Sequence, residues 1–172
     1  IAWNGSMWVA TGTGTNTIVY SYNGINWTGL GATVFTTAFG IAWNGTMWVA
    51  VGEGTNTIAY SYNGINWIGL GKSIFSLIAY DVYWNGTIWV AVGFGQGTNT
   101  IAYSYNGINW TGLGKTIFTE YGYGVSWNGT YWIAVGQGIT NTIAYSSNGI
   151  NWTGLGATIF SSEGLGVGSN FN

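Results

Sequence analysis

Short, largely apolar runs are separated, along the whole chain, by breaks rich in glycine and asparagine. Residues 47–51 and 57–62 are two such runs, and residues 52–56 form the break between them. Val, Ile, Thr, Tyr and Trp dominate the runs, and no stretch has the apolar spacing of an amphipathic helix. The pattern therefore predicts an all-β protein made of short strands.

This strand pattern repeats four times. A Trp-Asn-Gly sequence begins at Trp3, Trp43, Trp84 and Trp127, so successive copies lie 40, 41 and 43 residues apart. A period near 40 is typical of propeller blades and of some helical repeats, and the strand-rich composition favours blades. We predict a single repeat domain folded as a β-propeller-type array of four four-stranded antiparallel blades, with units at about 1–40, 41–81, 82–124 and 125–165. A closed four-bladed ring is the first expectation, and a segment of a larger ring or an assembling array is the alternative.

Residues 166–172 continue in phase with the start of a fifth unit. They keep the glycine and valine of that position but lack its tryptophan and its Asn-Gly pair. We predict a degenerate extra strand that either closes its own ring or pairs with a neighbouring chain, since sheet edges are usually covered. Pairing with a neighbour would make a homo-oligomer through the C-terminal strand.

Each unit has two Asn-Gly pairs, such as Asn44-Gly45 and Asn63-Gly64 in the second unit. Asn-Gly between strands favours a type I′ hairpin turn, in which both central residues have positive φ. The first pair should join strands A and B of a unit, and the second pair strands C and D. These turns then lie on one face of the array, the turn face, while the B–C loops and the D–A linkers lie on the opposite loop face.

The second Asn-Gly pair of each unit lies in a longer motif, Ser-x-Asn-Gly-x-x-Trp. This motif resembles the Asp-box of sialidase-like propellers, a Ser-x-Asp-x-Gly-x-x-Trp hairpin, although Asn replaces the Asp and the spacing is one residue shorter. The resemblance implies a folding element on the face away from an active site, so we interpret the motif as a structural joint rather than as four binding sites. Its sixteen residues are Ser21, Asn23, Gly24, Trp27, Ser61, Asn63, Gly64, Trp67, Ser104, Asn106, Gly107, Trp110, Ser146, Asn148, Gly149 and Trp152.

Charge is scarce: only 3% of residues are charged, the net charge is −2, and Arg, His and Cys are absent. The chain therefore lacks the basic surface of a nucleic-acid binder, and no apolar run is long enough to insert into a membrane. Four scattered acids provide neither a metal cluster nor the positioned pair of a glycosidase, and sialidase-like activity would need arginines. We expect no enzyme activity, no metal and no cofactor.

The units differ from one another mainly on the loop face, and all six charged side chains map to it. Loops on a fixed scaffold are free to specialise for binding. Twelve tryptophans in repeat register are expected to fill the core, although an exposed register could stack on sugars. The candidate ligand-face residues are Glu53, Lys72, Tyr80, Asp81, Phe94, Gln96, Lys115, Glu120, Tyr121 and Gln137.

Two classes of function remain open from the sequence. The first is a lectin-like recognition module for a glycan or protein ligand, in which several weak sites act together. The second is a self-assembling structural protein of an extracellular or virion-like assembly, because a near-neutral surface favours association. An extracellular or virion-surface location suits both, and an ice-binding surface is a distant third.

Overall fold

The computed structural model describes residues 1–96 and 98–168, which form sixteen β-strands joined by turns and loops, with no helix among them. No helix long and apolar enough to cross a membrane is therefore present in these ranges. The strands of unit 1 are β1 (Ala2–Trp3), β2 (Trp8–Thr11), β3 (Ile18–Ser21) and β4 (Thr28–Gly29). Those of unit 2 are β5 (Thr37–Trp43), β6 (Trp48–Glu53), β7 (Ile58–Ser61) and β8 (Ile68–Gly69). Unit 3 contains β9 (Ile78–Trp84), β10 (Trp89–Phe94), β11 (Ile101–Ser104) and β12 (Thr111–Gly112), and unit 4 contains β13 (Tyr121–Trp127), β14 (Trp132–Gln137), β15 (Ile143–Ser146) and β16 (Thr153–Gly154).

Each unit is a four-stranded antiparallel meander in which consecutive strands pair. Units 2 and 3 share one eight-stranded sheet, because Glu53 at the end of β6 pairs with Ile78 at the start of β9. The equivalent pairing between units 1 and 2 is the bridge between Thr13 and Thr37. The prediction of an all-β, propeller-like repeated fold is confirmed.

In units 2, 3 and 4, the first strand begins earlier in the chain than the unit boundary that was predicted from the sequence repeat. Strand β5 starts at Thr37, β9 at Ile78 and β13 at Tyr121, because the linker before each Trp-Asn-Gly pairs with the end of strand B. In β5 a shift of register between Ala38 and Gly40 leaves Phe39 outside the ladder. A β-bulge of this kind redirects a side chain near a strand end. The fourth strands are shorter than expected, with two residues each.

The Asn-Gly turns are not type I′, and that prediction is wrong. Gly45 has φ 98°, but within the described ranges no residue other than glycine has positive φ. Four residues separate the paired Trp43 and Trp48, and the side-chain oxygen of Asn44 accepts the backbone N–H groups of Thr46 (2.9 Å) and Met47 (2.7 Å). An asparagine side chain can thus replace a backbone turn acceptor, and the residue itself keeps negative φ.

The core lies between successive units, in three clusters built largely from equivalent repeat positions. Trp48, Trp89 and Trp132 are fully buried, and so are Phe35 and its equivalents Phe75 and Phe118. Aromatic side chains of this size supply much of the burial energy of a small core. The tryptophans at other repeat positions are only partly covered, and Trp3 and Trp27 are exposed.

A closed four-bladed ring is not confirmed. No strand pairing joins unit 4 back to unit 1 in the part of the chain that the structure describes. Residues that are buried inside the array are exposed at its ends: Phe160 corresponds to the buried Phe75 yet is 43% exposed. The C-terminal segment packs on unit 4 instead, where Glu163 bridges Gln137 and the N–H of Gly164 donates to the carbonyl of Gly136 at 2.9 Å. The predicted extra strand lies partly outside the described residues, from 169 onward.

Candidate functional site

A depression of about 410 Å³ lies on the loop face, where the ends of β6 and β10 meet the starts of β9 and β13; we call it the loop-face basin. The strand geometry creates it, because B–C loops and D–A linkers of neighbouring units converge at this edge. Five of the ten predicted ligand-face residues line the basin, and they come from three different units: Glu53, Lys72, Tyr80, Phe94 and Tyr121.

Aromatic rings form a continuous row through the basin and beyond it. Phe94 stacks on Tyr121 with ring centroids 4.4 Å apart and an interplanar angle of 28°. Tyr121 is parallel to Tyr123, at 5.4 Å and 5°, and Tyr123 contacts Tyr80 at 5.2 Å. Phe39 extends the row from unit 2, 5.3 Å from Tyr80. The basin is therefore flanked by an aromatic wall that is accessible from the loop face.

Phe39 and Tyr123 are two members of this wall that sequence reasoning missed. They occupy the same position of strand A as Tyr80, two residues after its start, in units 2 and 4. Alignment of the long first strands would have revealed the three aromatics in one register. The true starts of those strands lay inside segments interpreted as linkers, so the register was hidden.

Hydroxyl groups and a few charges surround the wall. The hydroxyl of Tyr123 donates to Oε1 of Gln137 at 3.3 Å. Burial, together with the charge and hydrogen bond of Glu163, raises the pKa of Tyr123 to about 12, and burial also raises the pKa of Tyr80, with smaller effects of Tyr121 and Glu53. Both phenols therefore stay protonated at neutral pH. Tyr80 can donate and accept hydrogen bonds, while Tyr123, which donates its hydrogen to Gln137, can accept them.

Two lysines approach the basin. Lys72 lines it, and the Nζ of Lys115 lies 5.8 Å from the ring centroid of Phe94, within cation–π range. Glu53 is the one carboxylate among the residues that line the basin. The remaining predicted residues lie outside: Gln137 contacts the aromatic wall, while Gln96 and Glu120 are exposed on neighbouring loops.

Asp81 is not in the basin but in the central opening, a space of about 460 Å³ lined by the first strands of all four units. Its Oδ2 accepts the N–H of Val125 at 3.0 Å, and its Oδ1 accepts the N–H of Val82 at 2.9 Å. Burial raises the pKa of this carboxyl to about 6, although the two backbone donors act in the opposite direction. Asp81 thus links strands rather than joining the ligand-face residues.

The Asp-box-like turns form the same hydrogen bonds in all four units. In unit 2, the Oγ of Ser61 accepts the N–H of Gly64 at 2.8 Å, and the side-chain oxygen of Asn63 accepts the N–H groups of Ile65 (3.0 Å) and Asn66 (2.8 Å). The indole Nε1 of Trp67 donates to the carbonyl of Gly64 at 3.1 Å. The other units repeat these contacts within 0.2 Å. The asparagine oxygen accepts both turn N–H groups, as a carboxylate oxygen would, but without a charge.

Three equivalent grooves of about 200, 280 and 220 Å³ lie between successive units. In the groove between units 2 and 3, Leu70 and Ile74 face Asn109 and Trp110 of the next Asp-box-like turn. These turns therefore also contribute side chains to the grooves between units. No cluster of three or more acidic, His or Cys side chains occurs in residues 1–96 and 98–168.

Neither family models nor curated proteins match this sequence. Solved structures do match its fold. A computationally designed protein, Ika8, superposes with a TM-score of 0.62 at 13% identity, over 99% of this chain and 52% of its own. A GH74 enzyme from Niastella koreensis superposes with a TM-score of 0.61 at 18% identity, over 87% of this chain and 27% of its own. The chain thus spans about half of the designed protein, and at these identities the likeness concerns the fold alone.

Proposed function

We propose that this protein is a non-catalytic recognition module on a β-propeller scaffold, and that it binds carbohydrate in the loop-face basin. The observation that supports the proposal best is the aromatic wall. Phe94, Tyr121 and Tyr123 stack in one row beside a depression of about 410 Å³. Pockets that combine apolar aromatic walls with a few placed polar groups are the usual form of small-ligand sites.

A sugar suits this combination for a physical reason. The C–H face of a pyranose ring packs on an aromatic ring, while its hydroxyls need neutral hydrogen-bonding partners at the edge. The protonated hydroxyls of Tyr80 and Tyr123 supply such partners, and Glu53 and Lys72 add an acceptor and a donor. With so few charges, the basin favours neutral sugars over strongly anionic ones.

The absence of catalysis is part of the proposal. Glycoside hydrolysis needs two carboxyl groups at a defined separation on opposite sides of the scissile bond. Glu53 is the one carboxylate lining the basin in the described chain, and Asp81 is bound to backbone N–H groups in the central opening. The GH74 neighbour shares only the fold with this chain.

The test is a glycan screen at high protein concentration, followed by titration calorimetry on hits. Phe94→Ala and Tyr121→Ala each remove one of the three aromatic rings that line the basin and should weaken binding at least tenfold. Tyr62→Ala is the matched control, because Tyr62 is an exposed tyrosine on the turn face. A screen without hits, or equal loss of binding with Tyr62→Ala, would contradict the proposal, and so would sugar hydrolysis by the purified protein.

A structural, self-assembling role is the second candidate, and a separate observation favours it. The two ends of the array expose apolar residues whose equivalents are more covered between units. Phe160 at one end has fully buried equivalents, and Trp27 at the other end has partly buried ones. The two roles are compatible, because the basin lies within units 2 to 4 and the exposed surfaces lie at the ends.

A further inference from the structure

At each of the three junctions between successive units, a phenylalanine of one unit (the knob) packs on a glycine of the next (the hole). The phenyl ring of the linker after each unit packs on a glycine of the next unit. Carbon Cδ1 of Phe35 lies 2.9 Å from the position that a Cβ on Gly52 would take. The other two junctions repeat the contact, with Phe75 at Gly93 (3.0 Å) and Phe118 at Gly136 (2.9 Å).

The two ends of the array carry the same phenylalanine and the same glycine without a partner from another unit, although the ring of Phe160 lies near Gly164 of its own segment. Phe160 is the fourth phenylalanine of this register and is 43% exposed. Its backbone is held as in the other units, since the hydroxyl of Thr142 donates to its carbonyl at 2.9 Å, as that of Thr57 does to Phe75. Gly12 is the corresponding glycine of unit 1, and no atom lies within 4 Å of the position of its Cβ.

A polar contact accompanies each buried knob. The Nδ2 of Asn56 donates to the carbonyl of Val34 at 2.9 Å, and the next two junctions repeat the bond from Asn99 to Ile74 (2.9 Å) and from Asn141 to Ile117 (3.2 Å). At the ends, Asn16 and the carbonyl of Ile159 are the corresponding donor and acceptor. The ends are thus complementary in hydrogen bonding as well as in shape.

The Asp-box-like turn is a third repeated contact. The glycines of these turns pack on the preceding unit: Gly64 on Met7 and Val9, Gly107 on Met47 and Val49, and Gly149 on Val90. Gly24 of unit 1 meets only Trp8 of its own unit. At the other end, Tyr131 occupies the position of Met7 and Met47, is 44% exposed, and packs edge-on against Tyr145.

The C-terminal segment offers a strand edge in the same register. Glu163 pairs with Gln137 as Thr37 pairs with Thr13 of the preceding unit. Thr37 also pairs, on its other side, with Glu53 of its own unit. In unit 1, β1 pairs with β2 only at Ala2 and Trp3, so the inner edge of β2 beyond Val9 is open in the described structure. Unpaired edges of this kind recruit strands.

We propose that a second copy of this chain docks its unit 1 on unit 4 of the first copy. Phe160 then packs on Gly12 of the second copy, Ile159 accepts a hydrogen bond from its Asn16, and residues 163–166 pair with its β2. Two copies joined in this way have about the length of the designed protein, of which one copy of this chain covers 52%. A twofold ring contains this head-to-tail contact twice. The net charge of −2 opposes the contact only weakly.

Mass in solution is the first test. The wild-type chain should have twice its 18.3 kDa mass at micromolar concentration, measured by light scattering after gel filtration and by native mass spectrometry. Gly12→Leu should give a monomer, because the leucine fills the hole; no atom lies near its Cβ and its φ is not positive, so the fold of the single chain tolerates it. Ser6→Leu is the control, since Ser6 is an exposed residue of the turn face in the same unit, and it should stay dimeric.

A mixing experiment tests the direction of docking. Phe160→Ala should also give a monomer, because it removes the knob and leaves the hole. Equal amounts of Gly12→Leu and Phe160→Ala chains retain one intact contact between them and should form an open dimer that elutes earlier than the wild-type ring. A monomeric wild type, a dimer that survives Gly12→Leu, a variant mixture that stays monomeric, or a mass above two copies would overturn the proposal.

Discussion

The backbone N–H of Val125 in unit 4 donates a 3.0 Å hydrogen bond to Oδ2 of Asp81 in unit 3, so one carboxyl group connects the first strands of two units. Asp81 stands where units 2 and 4 have Gly40 and Gly124. Glycine leaves room at this position, and the aspartate occupies the central opening. Ionisation of this carboxyl group should therefore make the stability of the protein depend on pH.

The unfolding free energy should fall as pH rises from 4 to 6.5. Burial raises the pKa of Asp81 to about 6 in the folded protein, above the ordinary value near 3.9, so the unfolded chain loses this proton first. The favourable contribution is therefore fully present below about pH 4 and is lost as pH passes 6, with a change of about 1–3 kcal/mol. Urea unfolding at a series of pH values measures it.

Asp81→Asn should remove that pH dependence, because the amide does not ionise. Glu120→Gln is the control, since Glu120 is an exposed carboxylate of the loop face. If Asp81→Asn unfolds with the same dependence on pH as the wild type, the carboxyl group does not have the raised pKa.

Asn63→Ala should destabilise the protein by about 1–3 kcal/mol, since two turn N–H groups and the hydroxyl of Ser61 lose their acceptor. Asn63→Asp should be tolerated, because a carboxylate oxygen accepts the same bonds. The neighbouring Asn66→Ala is the control, as the turn uses only the backbone of Asn66. Thermal and urea unfolding give the comparison, and equal loss with alanine and aspartate would show that the oxygen is not the important atom.

Trp67→Ala should lower the free energy of unfolding by about 2–4 kcal/mol, near the lower part of the range for aromatic truncation. The loss is moderate because the indole is only half-buried against the core between units 1 and 2. Trp27→Ala, the same change in unit 1, should cost clearly less in a monomeric background such as Gly12→Leu, since Trp27 is 39% exposed there. Equal destabilisation at the two sites would mean that the indole acts within its own turn rather than at the junction between units.

Deletion of residues 163–172 should lower the melting temperature and abolish the dimer. The deletion removes the pairing of Glu163 with Gln137 and the hydrogen bond from Gly164 to Gly136. Differential scanning calorimetry and mass in solution provide the two readouts. A truncated chain with an unchanged melting temperature and mass would show that this segment contributes nothing to either.

The sequence alone determined the strands, the repeat and the separation of the two faces, because these depend on local chemistry. Residues such as Ser61 and Trp67 lie within seven positions of each other, so their turn could be recognised from spacing. The same local reasoning failed at Asn44, where a side-chain hydrogen bond replaced the expected positive φ. It also placed the first strands too late, since their early residues are defined by partners in other strands rather than by their own pattern.

Only the tertiary structure decided which residues share a site and whether the ring closes. Tyr80, Phe94 and Tyr121 come from units 3 and 4 and meet because bulged strand ends converge on one edge. Asp81, one residue from Tyr80, lines the central opening instead, because the register shift in β9 leaves Tyr80 outside the ladder while Asp81 stays paired with Val92. Whether units 4 and 1 pack on each other depends on the interfaces between units, a property that no single repeat encodes. Four equivalent repeats are compatible with several ring sizes. The exposure of Phe160 and the empty space at Gly12 show that, in the described residues, units 4 and 1 do not form the contact that successive units share.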